Sequence, residues 1–320
     1  MVSHRSFHPQ ARRLRVAAIV TLLLVALSPA PASSQGAPPS PQDVLGWDMG
    51  ERFTDVYHVQ HYFHTLAEAS DLVSVHPYGE TNEGRTLLQV LITAPEHRAR
   101  LETILAENME LRDPDTSPAR AAEIIAANPG VVYFSYGVHG NESSSSEAAM
   151  WTAWDLASGS DDTAGVLDSL VVVLDPIVNP DGRDRYVNYF RQARGAEANF
   201  SPQAREHREP WPGGRYNHYL FDLNRDLFRQ SQPETRAKVG LFLEYTPHIV
   251  ADLHEMGGNS TYFFPPTAPP SNPLFMDPQI GLMDVFGADI AAAFDERGFA
   301  YFNRDTYDLF YPGYVDMWPM

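Results

Sequence analysis

The 320-residue chain has no cysteine. That excludes disulfide frameworks, thiolate metal sites and cysteine nucleophiles together. Any transition-metal site in this chain must therefore be built from His, Asp and Glu. Basic residues are scarce as well: 23 Lys and Arg stand against 41 Asp and Glu, a formal net charge of -18. A surface this acidic repels nucleic acid and anionic membrane over a Debye length, so neither is an expected partner. The charge itself reads as a solvated surface. Long apolar runs are also lacking. Val16 to Leu27 is too short for the roughly 20 residues that cross a bilayer, and no later stretch reaches that length.

What is present divides the chain simply. Arg5, Arg12, Arg13 and Arg15 precede the apolar run, and Ala30-Pro31-Ala32 offers small residues for cleavage. Residues 1–32 thus read as a signal peptide, with the mature protein secreted or periplasmic and off the membrane. Residues 33–44, rich in Ser, Pro, Ala and Gly, read as a linker. From residue 45 to 320 the composition is that of one globular domain, within a chain 43% hydrophobic and 12% aromatic overall.

Ser117-Pro118 opens a helix that Asn128-Pro129-Gly130 ends, with Ser as N-cap and Pro at the first helical position. Val131 to Tyr136 follows as a buried strand, Glu142 to Leu156 as a helix, and Leu170 to Val178 as a second β-branched run. Pro233 to Tyr245 is helical by the spacing of Val239, Phe242 and Leu243, and His248 to Leu253 is again a strand. Alternation of this kind predicts an α/β domain with a central, mostly parallel (mixed) sheet flanked by helices. In such sheets ligands gather beyond the carboxyl ends of the strands. Three polar clusters stand at such ends: His139-Gly140-Asn141-Glu142, Asn179-Pro180-Asp181-Gly182 and His254-Glu255.

His139 and Glu142 are three residues apart across a strand–helix junction, which lets both side chains enter one cavity. Imidazole nitrogen and carboxylate oxygen both suit zinc, and a catalytic zinc takes three protein ligands and leaves one position open. His254, at the end of a neighbouring strand, fits as the third. Glu255, next along that strand, is expected to turn to the opposite side. Asn179-Pro180-Asp181-Gly182 reads as a turn that positions a strand end without chemistry of its own. Asn141-Glu142-Ser143 spells a glycosylation sequon but overlaps a proposed ligand.

Several stretches in order, Val138–Glu142 (VHGNE), Val178–Arg185 (VNPDGRDR), Asp222–Asp226 (DLNRD) and Ala251–Met256 (ADLHEM), resemble the zinc carboxypeptidase family. The likeness runs from about Tyr78 to the C-terminus. Two histidines and a glutamate are the known zinc ligands of such enzymes, so the resemblance implies a zinc ion on His139, Glu142 and His254. It further implies that Asn224 and Arg225 grip the terminal carboxylate of a peptide or protein substrate with a free C-terminus, a contact guanidinium makes bidentately. Asp222 matches a carboxylate that orients a zinc-ligating histidine. Arg191 matches the arginine that polarises the scissile carbonyl, with Arg185 and Arg194 as alternatives. The implied activity is metallocarboxypeptidase hydrolysis by zinc-activated water.

The family's general base is a glutamate on a late strand, and no convincing match precedes Met320; Glu255 and Glu296 are the remaining glutamates after His254. The expectation is a domain truncated before that base and lacking the C-terminal part of the sheet, able to bind zinc but poor in hydrolysis. A tyrosine that closes over substrate falls among Tyr307, Tyr311 and Tyr314. Two rival readings are a zinc deacylase of N-acyl amino acids, which shares the HGNE motif and an Asn-Arg pair, and a catalytically impaired peptide-binding protein.

Overall fold

The computed structural model describes residues 37–160, 162–305 and 315. The signal-peptide reading and Tyr307, Tyr311 and Tyr314 lie outside the described residues. The chain divides into two units, residues 1–37 and 38–320, and the description below concerns the second.

The elements in order are α1 (Pro41–Leu45), α2 (Val56–Ala69), β1 (Val73–Glu80), β2 (Thr86–Thr93), α3 (Pro95–Ala99), α4 (Leu101–Glu110), α5 (Pro118–Ala127), β3 (Gly130–Tyr136), α6 (Ser143–Ser158), β4 (Leu170–Asp175), α7 (Pro180–Ala193), α8 (Pro233–Tyr245), β5 (Ile249–Leu253), β6 (Tyr262–Phe263), α9 (Asp277–Arg297) and β7 (Tyr301–Phe302). The stretch read as a linker contains α1, where Ser40 and Asp43 form a capping box and Val44 and Leu45 pack on the core. Ser117 caps α5 as expected, its side chain accepting from the Arg120 N–H.

The five strands of the main sheet run β1-β2-β4-β3-β5. β3 pairs in parallel with β4 and with β5, while β2 is antiparallel to both β1 and β4. The sheet is therefore mixed, with a parallel half at one side. Alternation along β4 shows its three-layer packing. Val172 and Leu174 join Tyr62, Phe63 and Leu66 of α2 and Met150 of α6 on one face. Val171 and Val173 join Val239, Leu241 and Phe242 of α8 on the other. Each such side chain contributes about 1.5–3 kcal/mol of burial, so both faces of the parallel half are fixed. With the faces fixed, the ends of β3, β4 and β5 lie side by side, and the polar clusters leave the sheet there.

Candidate metal centre

β3 ends at Tyr136, and Gly137 turns in the left-handed region at φ 66°. The loop that follows delivers His139, which is buried, and Glu142, which stands at the N-cap of α6. β5 ends at Leu253 and delivers His254 next to them. Among the described residues, His139, Glu142 and His254 form the one group of His, Asp and Glu whose ligand atoms converge, all lying within 4.8 Å of one another.

The geometry within the group is directional. Nδ1 of His139 lies 2.6 Å from Oε1 of Glu142, and Nδ1 of His254 lies 3.0 Å from Oε2. Both Nδ1 atoms thus face the same carboxylate. Each Nε2 is taken by a different carboxylate: His139 Nε2 by Asp222 Oδ1 at 3.1 Å, His254 Nε2 by Asp252 Oδ2 at 2.8 Å. Carboxylates behind both rings fix tautomer and ring direction and make the inward nitrogens better donors. Two imidazole nitrogens and one carboxylate, convergent and oriented from behind, match the donor set that zinc takes in open catalytic sites.

The charges are strongly coupled. Burial alone would raise the Glu142 carboxyl, but His139 and His254 hold it down at about 2. Asp222 is likewise held at about 2, burial being outweighed by His139 and Arg215. Burial disfavours the charged form of His254, yet Asp252 and Glu142 raise it to about 10. Asp252, fully enclosed, is held well below the usual carboxylate range by Lys238 and His254.

Of the other residues singled out by sequence, Asp222 stands behind His139. Asn224 is drawn to the group as well, its Nδ2 3.4 Å from His254 Nε2. Arg225 follows it in a short 3₁₀ turn, Leu223–Arg225, and donates to the Asn224 carbonyl at 2.7 Å. Arg191 is placed elsewhere. Near the end of α7, it bonds Asp55 Oδ2 at 2.7 Å and the Phe53 carbonyl at 3.5 Å, and no bond of it reaches the cluster. The arginine brought to the metal group is Arg215, which the sequence reading missed. Its Nε and Nη2 lie 3.1 and 3.0 Å from Asp222 Oδ2, and Nη1 is 3.7 Å from Glu142 Oε1. Glu255 has its carboxylate bound by the Ser144 N–H at 2.8 Å and hydroxyl at 2.7 Å, leaving its backbone N–H to meet Glu142.

The VNPDGRDR stretch explains how Arg215 arrives. Asn179 caps α7, accepting from the Gly182 N–H, and its Nδ2 donates to the Arg215 carbonyl at 3.1 Å. Arg185 donates to the carbonyls of Gly213 and Tyr216 on either side. Arg183, fully buried, donates to the Ser143 carbonyl at the start of α6 and to Glu147. The motif read as a turn is the first turn of a helix that clamps two loops, one bearing His139 and Glu142, the other Arg215. Backbones touch at this clamp. A Cβ on Gly140 would collide with the backbone of Gly182 and Arg183, and one on Gly182 with the carbonyl of Gly214. Glu209 completes it, accepting from Asn141 at 2.9 Å and from the Gly214 N–H.

The chain is similar to known carboxypeptidases. Probable carboxypeptidase 2 of Trichophyton verrucosum is 29% identical over 131 residues, 41% of this chain and 20% of that protein. Carboxypeptidase 2 of Trichophyton rubrum is 30% identical over 124 residues, 39% and 18% respectively. The match thus spans about a fifth of the length of these curated relatives. Among solved structures, the carboxypeptidase A of Helicoverpa armigera superposes with a TM-score of 0.52 at 16% identity, over 95% of this chain and 66% of that one. The metallo-carboxypeptidase of Burkholderia cenocepacia gives 0.51 at 16%, over 83% and 56%. At those identities the likeness is one of fold. Residues 59–277, which carry every element of the metal group and its clamp, match the zinc carboxypeptidase family, and the chain belongs to it.

Proposed function

We propose that the chain binds one zinc ion on His139, Glu142 and His254 and acts as a metallocarboxypeptidase on peptides or proteins with a free C-terminus. One observation carries this reading: the two histidines present Nδ1 to the same carboxylate while their Nε2 atoms are held from behind by Asp222 and Asp252. Zinc held there supplies Lewis acidity and lowers the pKa of water.

The protein's own groups divide the remaining work. Arg225 and Asn224, in one 3₁₀ turn beside His254, receive the substrate's terminal carboxylate; a guanidinium and an amide offer the charge-assisted donors it needs. Arg215, steadied by Asp222 beside Glu142, places positive charge where the scissile carbonyl oxygen turns anionic. This gives Arg215 the role that the resemblance implies for Arg191, Arg185 or Arg194. The N-terminal basic and apolar segment supports export of the mature enzyme. No helix among the described residues is long and apolar enough to cross a membrane.

The test is zinc stoichiometry of the purified protein by mass-based metal analysis, with His254→Ala beside it. One zinc per chain, lost in the variant, is the expected result. A well-folded wild-type protein that takes up no zinc would sink the metallopeptidase reading.

A further inference from the structure

Beneath the metal group the three parallel strands carry a polar rung in the apolar core. Ser135 of β3 is in register with Asp175 of β4 and with Asp252 of β5. All three lie on the face that Val131, Tyr133, Val171 and Val173 make apolar, the face covered by α8. From α8 a lysine enters this layer. Lys238 is 4% exposed, among the least accessible positions for a residue whose charge is costly to bury unless paired.

Its ammonium has a defined set of neighbours. Nζ donates to Ser135 Oγ at 2.7 Å and lies 3.4 Å from Asp252 Oδ1. The Phe242 ring centroid is 5.7 Å away. Asp175, the other carboxylate of the rung, has its Oδ2 occupied by the hydroxyls of Tyr78 at 2.6 Å and Tyr133 at 3.3 Å. The charge of Lys238 is felt at Asp175 too, but the carboxylate its ammonium contacts is Asp252. That carboxylate is shared among three partners: Oδ1 faces Lys238, Oδ2 faces His254 Nε2, and the Ser135 hydroxyl bonds it as well. A carboxylate gripped at one oxygen by a buried cation cannot swing its other oxygen away from the imidazole without losing the pair.

We propose that Lys238 is a positioning residue for the metal centre, holding the carboxylate that aims His254 at the metal. The inference rests on the zinc reading above and extends it one residue deeper into the core, to a side chain that touches neither metal nor substrate. A lysine that merely neutralised buried acid would support the fold equally well with or without zinc. One that aims His254 must appear in the metal affinity of the folded protein.

The experiment is a competition titration of zinc against a chromophoric chelator, on the full chain at fixed pH. It compares wild type, Lys238→Met, Asp252→Asn and the double variant, each checked for native circular dichroism. Lys238→Met keeps most of the length of the side chain, one atom short, and removes its charge. We expect it to weaken zinc binding by about tenfold or more, as does loss of outer-shell partners elsewhere. In the Asp252→Asn background the same change should add nothing, since the two act through one carboxylate. Wild-type affinity in folded Lys238→Met, or fully additive losses in the double variant, would overturn the proposal. Should Lys238→Met not fold, Lys238→Gln decides. It removes the charge but keeps a polar head in the layer and should cost severalfold in affinity, and an unchanged value there overturns the proposal too. A wild-type protein without zinc would instead remove the metal reading itself, and the inference with it.

Discussion

Arg215 holds two acidic neighbours at once, Asp222 behind His139 and Glu142 in front of it. That double engagement fixes where its positive charge sits, and an electrostatic group acts on a reaction only if it is fixed before the charge develops. Replacing it by alanine should lower kcat for a peptide with a free C-terminus by about 10²–10³-fold while zinc content stays at wild type. Arg191→Ala should leave kcat within about twofold, because Arg191, itself 43% exposed, pairs with Asp55 and makes no bond to the metal group. The reverse pattern would return the oxyanion role to Arg191. The contrast between the two arginines marks the limit of reading residues singly. His254 directly follows β5, His139 lies in the loop that leaves β3 and Glu142 stands at the N-cap of α6, so all three sit near element ends that local patterning makes visible. Arg215 follows a long connection after α7 with no periodic pattern to place it. The available signal was the Gly213-Gly214 pair before it, a mark of close backbone approach that takes meaning only when Gly182 is seen packed against Gly214.

At the level of elements, the centre is assembled by strands, loops and one helix start. α6 and α8 are legible nearly to the residue: a proline at the first turn opens α8, and α6 is an unbroken run of helix-compatible residues ended by Gly159. Asn179-Pro180-Asp181-Gly182 has turn composition but forms the cap and first turn of α7; the helix forms because Asn179 caps it and Arg183 and Arg185 find buried acceptors beyond it. Local composition describes the first four residues correctly and misses what the following arginines reach. The clamp makes a sharp prediction. Gly140→Ala should destabilise the fold by about 3 kcal/mol or more in urea denaturation and lower its zinc content, since the added methyl meets backbone that cannot yield. Gly240→Ala, in the exposed interior of α8 with nothing within 4 Å, should instead stabilise by about 0.5–1 kcal/mol. A tolerated Gly140→Ala would mean the two loops are less tightly joined than described.

For the molecule as a whole, sequence patterning gave the layers and hid the charge buried between them. The α8 stripe of Val239 and Phe242 is an ordinary core signal, and Lys238 beside it looks like a surface residue until β3, β4 and β5 are seen to carry Ser135, Asp175 and Asp252 on the same face. Such a rung is set by register between distant segments, which a single sequence does not display. It has a pH signature away from the metal. Burial raises Asp175 to about 6, against the bonds from Tyr78 and Tyr133 and the charge of Lys238 that lower it. A carboxyl raised in the fold binds more protons folded than unfolded between pH 4 and 6. Stability therefore falls as pH rises through that window and is flat above it. Relative to Asp175→Asn, wild type should lose on the order of 3 kcal/mol across it in urea titrations. A constant difference between the two proteins would show that Asp175 stays ionised throughout.

Glu142 and His254 are 112 residues apart in the chain, and their contact closes a loop that contains β4, α7, α8 and β5. A contact of that span forms late, after the strands between have found their places. An ion gripped by both residues therefore arrives after most of the fold exists and does not template it. Its effect belongs to the exit: binding only the finished site, it should slow unfolding in proportion to its free concentration and leave the rate of folding almost untouched. Stripping the metal would then produce a protein that still folds at its usual pace but opens sooner, and the first parts to separate would be the ends of β3 and β5.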